Sequence, residues 1–284
     1  MYHSSKSCIL QIYDSSPSQF PSINPTCLVV DLSCVTRASV SSSTAKNFDE
    51  FADNIINSVF EMSCDCSRID ICTDNYFERS LKTDTRVTRG NGQYFPFKGS
   101  TKLPQDIKEC FFSNNKNKEE FNDFLAQKFL DYDCKNVELV ISIKDEILHK
   151  NKIISTNLDY PILAAFQEEA DTKIMAHIVS CCQSGHQYIR VKTVDSGVIT
   201  LLLAFYGHFQ TVPQIEVDFL FGKQRKYFNL KKIISTVSEE MRSGLLFFYA
   251  FTGSDFTSSF LIFQKLIGGK YGKNILLSLK HLKN

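Results

Sequence analysis

Tryptophan is absent from the chain, and the 24 phenylalanines that stand beside this gap speak only for core packing. No excess of either charge is present. The 32 Lys and Arg against 31 Asp and Glu leave a formal net charge of +1, so no global basic field announces a nucleic-acid partner, and any such site must rest on a local patch. No apolar run approaches the roughly 18 residues of a membrane span, and the opening residues Met1 to Lys6 hold no apolar stretch of signal-peptide length. A Gly-x-Ser-x-Gly elbow is missing too, which ranks a serine hydrolase last among the candidate functions. No internal repeat is visible, so a solenoid or array is excluded.

What is present is an ordinary globular composition, 43% hydrophobic and 22% charged over 284 residues, enough to bury a real core. The ten cysteines resemble a disulfide framework in number only. Cys27, Cys34, Cys72, Cys181 and Cys182 lie in or beside apolar segments, as buried free thiols do, and a chain this long needs no staples. Cys64-Asp-Cys66 is the one tight pair, and it lacks the second Cys/His pair of a zinc site. A reducing compartment, nucleus or cytoplasm, is therefore expected, with no secretion and no membrane partner.

Residues 1–25 are rich in Ser and Pro and read as a flexible arm; 26–284 read as one domain. Cys27-Leu-Val-Val-Asp31 has strand composition and is followed by a Ser-rich loop. Apolar residues at helical spacing from Phe48 to Phe60 predict a helix over Asn47–Met62. Arg68–Cys72 is a second short strand. A polar, basic, Gly-bearing loop occupies about 75–104, a helix Lys118–Leu130, and a strand Val137–Ile143. Then come a helix over Gln167–Cys182, a strand over Tyr188–Val194 and an apolar helix over Gly197–Tyr206. A strand pair follows at Ile215–Phe221 and Lys226–Leu230, bridged by Gly222-Lys223, and a helical part covers about 231–284. Strands alternating with helices predict an α/β fold, a mainly parallel sheet flanked by helices on both faces. The closing residues do not read as a natural terminus, so a fragment or a shortened relative of a longer protein is expected.

The acidic residues are informative by position. Asp31 ends the first strand, Asp70 sits late in the second, and Asp195 follows Val194. Ligands of parallel α/β sheets bind outside the carboxyl ends of strands. Glu168, Glu169 and Asp171 crowd a first helical turn, where the dipole favours negative charge, and Asp255 follows Thr252-Gly-Ser254. Singly, each has a bland reading as a helix cap or turn former. Together they predict a site for Mg²⁺ or Mn²⁺, since hard cations take carboxylate oxygens and a two-metal site suits phosphodiester hydrolysis.

These motifs resemble those of the PIN-like/flap-endonuclease superfamily. Val29-Val-Asp31 looks like its first strand-end Asp, and Arg68-Ile-Asp70 is matched to the second, usually in a V-F-D setting. Glu169-Ala-Asp171 is similar to its acidic helix start, Asp195 to the first residue of its D-x-D pair, and Thr252-Gly-Ser-Asp255 to its G-x-D loop. A closer likeness is to transposon-associated animal proteins with this core. Their basic stretch is matched by Ser80-Leu-Lys82 to Arg86 and Arg89, their H-E-E-A-D-T by Gln167-Glu-Glu-Ala-Asp-Thr172, and their T-G-C-D-T-x-S by Thr252 to Ser258. The likeness spans about Cys27 to Phe260. It implies a PIN-like fold, Mg²⁺ or Mn²⁺ held by Asp31, Asp70, Glu169, Asp171, Asp195 and Asp255, and nuclease chemistry on DNA or RNA. Glu168 and Asp171 share a helix face at i,i+3, whereas the family likeness selects Glu169 and Asp171.

Departures from the family pattern qualify that expectation. Gly197 stands where the second Asp of D-x-D belongs, Gln167 replaces His, and Ser254 replaces Cys. A missing ligand weakens metal binding, so the rival reading is a degenerate relative that binds nucleic acid or a protein without cleaving. Lys82, Arg86 and Arg89 are positioned to hold phosphates. Lys98 and Lys102 extend the stretch, with Tyr94, Phe95 and Phe97 available to stack on unpaired bases. The alternative for this segment is a solvated loop with aromatics folded over the core. His177 is expected to be a satisfied core histidine.

Overall fold

The computed structural model describes residues 25–64, 66–76, 92–134, 136–144, 146–150, 163, 169–209, 214–221, 224–239, 242 and 244–246. One mixed sheet of seven strands organises them: β1 (Cys27–Asp31), β2 (Arg68–Cys72), β3 (Glu138–Ile143), β4 (Glu146–Lys150), β5 (Tyr188–Thr193), β6 (Gln214–Phe221) and β7 (Gln224–Asn229). Their spatial order is β4-β3-β2-β1-β5-β6-β7. The five inner strands run parallel, while β4 and β7 pair antiparallel to their neighbours and form the two edges. The predicted α/β class with a mainly parallel sheet and helices on both faces is what the chain adopts.

Side chains alternate across a strand, and this alternation sorts the core into two layers. Leu28, Val30, Ile69, Ile71, Leu139 and Ile141 face α2 (Phe48–Met62) and α4 (Asn115–Asp131), with α1 (Leu32–Ser42) and the short α3 (Ile107–Cys110) completing that layer. Cys27, Val29, Cys72, Ile189, Val191, Ile215 and Val217 face α5 (Ala170–Gln183), α6 (Ser196–Ala204) and α7 (Leu230–Ile234). In the first layer Phe48, Phe51, Phe111 and Phe121 are fully buried. Their rings meet at 4.7–6.0 Å between centroids, tilted or edge-on except for the stacked Phe51–Phe121 pair.

Two elements depart from the sequence reading. The Ser-rich stretch after Asp31 is the helix α1 and not a loop. Its Ser, Thr and Val content is poor in helix propensity, but Asp31 accepts hydrogen bonds from the Ser33 and Cys34 amides at 3.0 and 3.3 Å, and Leu32 and Val35 are buried. Capping and burial outweigh propensity here. The edge strand β4 was also not anticipated, because its Glu-Ile-Leu-His-Lys sequence carries three polar residues. Lys150 at its end donates to the Leu130 and Tyr132 carbonyls at 2.6 and 2.7 Å, satisfying orphan acceptors at the C-terminus of α4.

The nine cysteines among the described residues are free thiols. No helix of these residues is long and apolar enough to cross a membrane.

Candidate metal centre at the carboxyl edge of the sheet

Position along each strand decides which acids meet. Asp31 is paired in register with Cys72 and Asp70 with Val29. Asp70 therefore lies two residues, or roughly 6.6 Å of strand rise, below the level of Asp31. At the true edge stands Asp74, two residues beyond β2, with the same face parity as Asp70. On the other side of β1, Thr193 ends β5 and Asp195 follows it. The same alternation turns Asp31, Asp74 and Asp195 toward the layer that holds α5.

The N-terminus of α5 closes the group. Glu169 is its N-cap and Asp171 lies in its first turn. Asp74 Oδ1 accepts the Ala170 amide at 2.9 Å, so a strand-end carboxylate caps this helix in place of Glu169, whose side chain makes no cap bond. Asp31 is held by Ser33 Oγ at 2.7 Å and by Thr193 Oγ1 at 3.3 Å. Thr193 Oγ1 in turn accepts the Asp195 amide at 3.0 Å. Asp195 Oδ1 accepts the Gly197 amide at 2.7 Å and caps α6. Residue 197, where the family pattern carries a second Asp, thus contributes only a backbone donor.

Electrostatics report the crowding. Burial pushes the Asp31 carboxyl up from 3.8 to about 6, and the negative charge of Asp74 adds to the rise, against the opposing bonds from Ser33 and Cys34. Asp171 is pushed further, to about 8, by burial first and then by Asp195, Asp31, Asp74 and Glu169. Like charges gathered in a half-dry site disfavour ionisation in this way. Among the described residues no hydrogen-bond donor meets the Asp171 carboxylate. No three of these acids bring oxygens within 4.8 Å of one another among the described residues.

The acids named from the sequence therefore divide into two groups. Asp31, Glu169, Asp171 and Asp195 share one electrostatic neighbourhood, and Asp74, which sequence reasoning passed over, joins them. Asp70 does not. Its side chain is fully buried and doubly bonded to Arg68, at 2.6 and 2.8 Å, with His177 Nδ1 at 2.5 Å on Oδ2. Burial alone would raise this carboxyl, but Arg68 and His177 hold it well below the usual carboxylate range. Face parity could not separate Asp70 from Asp74, because they differ by four residues and point the same way. The signal that could have done so is depth: a strand of five residues beginning at Arg68 ends at Cys72, so Asp74 and not Asp70 emerges at the rim. Asp255 and Glu168, like the basic residues Lys82, Arg86 and Arg89, lie outside the described residues.

His177 is the satisfied core histidine expected of it, since its Nε2 also pairs with Ser142 Oγ at 2.5 Å. Ser142, His177 and Asp70 thus form a Ser-His-Asp chain. It offers no nucleophile, because Ser142 is 3% exposed and His177 and Asp70 are 0% exposed. A neighbouring group, Cys27, Asp70 and Cys181, has ligand atoms within 4.8 Å of one another and can hold a metal ion. Its sulfurs suit a soft ion such as Zn²⁺ and not Mg²⁺, and Arg68 competes for both Asp70 oxygens.

Two of the three aromatics anticipated as a stacking surface turn inward. Phe95 and Phe97 pack into the phenylalanine layer, with Phe97 4.4 Å from Phe48 between centroids. Tyr94 is exposed, with its hydroxyl donating to Glu120 at 3.0 Å. Apolar burial of about 25 cal/mol per Å² favours the core over solvent for such rings. No protein-family model matches the chain, and no curated protein is significantly similar to it.

Proposed function

We propose that this chain is a divalent-metal-dependent nuclease-like protein that hydrolyses phosphodiesters in DNA or RNA. The observation carrying the reading is the gathering of Asp31, Asp74, Glu169, Asp171 and Asp195 at one sheet edge, where burial first and then the neighbouring acids raise Asp171 to about 8. A fold keeps such a cluster at a cost in stability, and a cation offsets it. The donor set is all oxygen and fits Mg²⁺ or Mn²⁺. Asp31, Asp74, Asp171 and Asp195 would hold the ion, with Glu169 beside them.

A bound divalent ion supplies an activated water and charge stabilisation for the leaving oxygen of a phosphodiester. The chain's own residues do the positioning. Ser33 and Thr193 fix the Asp31 carboxylate, the Gly197 amide fixes Asp195, and the Ala170 amide fixes Asp74. Asp74 and Asp195 each spend one oxygen on a donor and keep lone pairs for a ligand, while Asp31 accepts at both oxygens, three bonds at Oδ1 and one at Oδ2. The acidic motifs follow the order of the PIN-like superfamily, and Cys72-Thr-Asp74 takes the V-F-D position better than Arg68-Ile-Asp70 does. Lys82, Arg86 and Arg89 follow Asp74 in sequence and would hold the phosphates.

A second reading has its own observation. Asp31, Asp74 and Asp195 all act as helix caps, and Gly197 removes a family carboxylate, so a binding module that has lost cleavage also accounts for the fold. Cleavage of labelled single-stranded and flapped DNA and RNA over a Mg²⁺ and Mn²⁺ titration separates the two. The nuclease reading expects metal-dependent cleavage that Asp195→Asn abolishes and Gly197→Asp increases. Nucleic-acid binding with no cleavage by wild type or Gly197→Asp supports the second reading. Cleavage that survives Asp195→Asn overturns the site.

A further inference from the structure

Lys173 is a buried cation with no role in the site as drawn so far. It sits on α5 two residues beyond Asp171 and is 5% exposed. Burying an ammonium is expensive unless its donors are satisfied, and the bonds it makes are specific. Its Nζ donates to the Thr73 carbonyl and to Asn75 Oδ1, both at 2.8 Å. These are the two residues that flank Asp74.

Four further bonds complete the arrangement. Thr73 is anchored to β3 through its amide and hydroxyl, both donating to the Ser142 carbonyl at 3.2 and 2.9 Å. Asn75 Nδ2 donates to the Lys144 carbonyl at 2.9 Å. Asp74 itself returns to α5 by accepting the Ala170 amide. The segment 73–75 and the first turn of α5 are therefore tied together in both directions, side chain of the helix to loop and side chain of the loop to helix. Lys173 thus ties both neighbours of Asp74 to α5, beside the Ala170–Asp74 bond.

We propose that Lys173 is a positioning residue that sets the separation of Asp74 from Asp171 and so determines the divalent-ion affinity of the edge. The role rests on the metal-site reading above, and it acts through Asp74, since Nζ bonds to the two residues that flank it. A point charge on a flexible stem with three donors fits this task. Lys173→Met keeps the length and apolar stem while removing every donor, and removal of a buried charge need not unfold the chain. Lys173→Arg keeps charge and donors in a different geometry.

Two measurements on the full chain test the proposal. The first is site-resolved amide hydrogen exchange in metal-free protein. Lys173→Met is expected to speed exchange at Ala170 and Thr73 by about tenfold or more while amides of β1 and β5 keep their protection, and Lys173→Arg is expected to restore part of it. Unchanged exchange at Ala170 in Lys173→Met overturns the positioning role. The second is Mn²⁺ titration of the folded variants, with a fall of at least about tenfold expected for Lys173→Met, the scale of a lost supporting contact at a metal ligand. Equal Mn²⁺ affinity in wild type and Lys173→Met overturns the link to the metal. Wild type that binds no Mn²⁺ counts against the metal-site reading and that link together, and the exchange result still decides whether Lys173 places Asp74.

Discussion

Replacing Asp171 with Asn should make the metal-free protein more stable at neutral pH, because the folded state gathers like charges around this position. Asp171 is raised from 3.8 to about 8 in the fold, by burial and then by its acidic neighbours. The folded state therefore binds a proton over a pH range in which the unfolded chain has released it. Stability falls with rising pH wherever the native state holds more protons, so the wild type should lose stability between about pH 4 and pH 8 in the absence of metal. Asp31 adds to the same trend over a narrower window, since it rises from 3.8 to about 6. One unit corresponds to about 1.4 kcal/mol, so the Asp31 rise alone has an upper bound of about 3 kcal/mol. Solvent screening reduces what Asp171 contributes. Asn copies the shape of the protonated acid and has nothing to release, so the variant should gain about 1–3 kcal/mol at pH 8 and nothing near pH 4. In a chain of this size that is a rise of roughly 2–10 °C in the unfolding midpoint. Thermal and urea unfolding with chelator, from acid to mild alkali, reads the effect. Millimolar Mg²⁺ should erase the advantage by stabilising the wild type. A wild-type stability that climbs from pH 5 to pH 8 without metal, or a variant less stable at every pH, would refute the electrostatic reasoning.

Other expectations follow from the same geometry. Asp70→Asn leaves Arg68 buried without its counter-charge and should cost about 3–5 kcal/mol, readable as an earlier urea midpoint. Because the Asp70 carboxyl is held below its ordinary value, its stabilising contribution is present above about pH 4 and is lost on further acidification; acid unfolding should start at higher pH in any variant that weakens the His177 contact. Replacing Lys82, Arg86 and Arg89 together with Ala should weaken nucleic-acid binding and reduce the salt slope by about 0.9 for each lost phosphate contact on duplex DNA, whereas an unchanged slope would return these residues to a solvated role.

Much of the fold was legible because its signals are local. The runs Cys27–Asp31, Arg68–Cys72 and Tyr188–Thr193 are short, carry apolar residues at alternate positions and are set between helical periodicities, and all became parallel strands. The helix after Asp31 was not legible, since Ser, Thr and Val favour other conformations in isolation and only the cap and the packing against α2 select the helix. The site was partly legible. Asp31 ends β1 and Asp195 follows β5 by two residues, positions visible in the sequence, as was the charged first turn at Glu169 and Asp171. Asp70 was singled out on its likeness to the V-F-D motif and Asp74 was passed over, although a strand ending at Cys72 already leaves Asp74 and not Asp70 at the rim. Phe95 and Phe97 carry no sign in sequence of whether they meet bases or Phe48. That depends on the phenylalanines of α2 and α4 standing ready to receive them.

Crystals soaked in Mn²⁺ and examined at an anomalous-scattering wavelength test the central claim most directly. The account predicts a Mn²⁺ peak bounded by Asp31, Asp74, Asp171 and Asp195, present in wild type and lost in Asp171→Asn. A well-ordered edge with no peak at saturating Mn²⁺, or a peak found only at Cys27, Asp70 and Cys181, would contradict it.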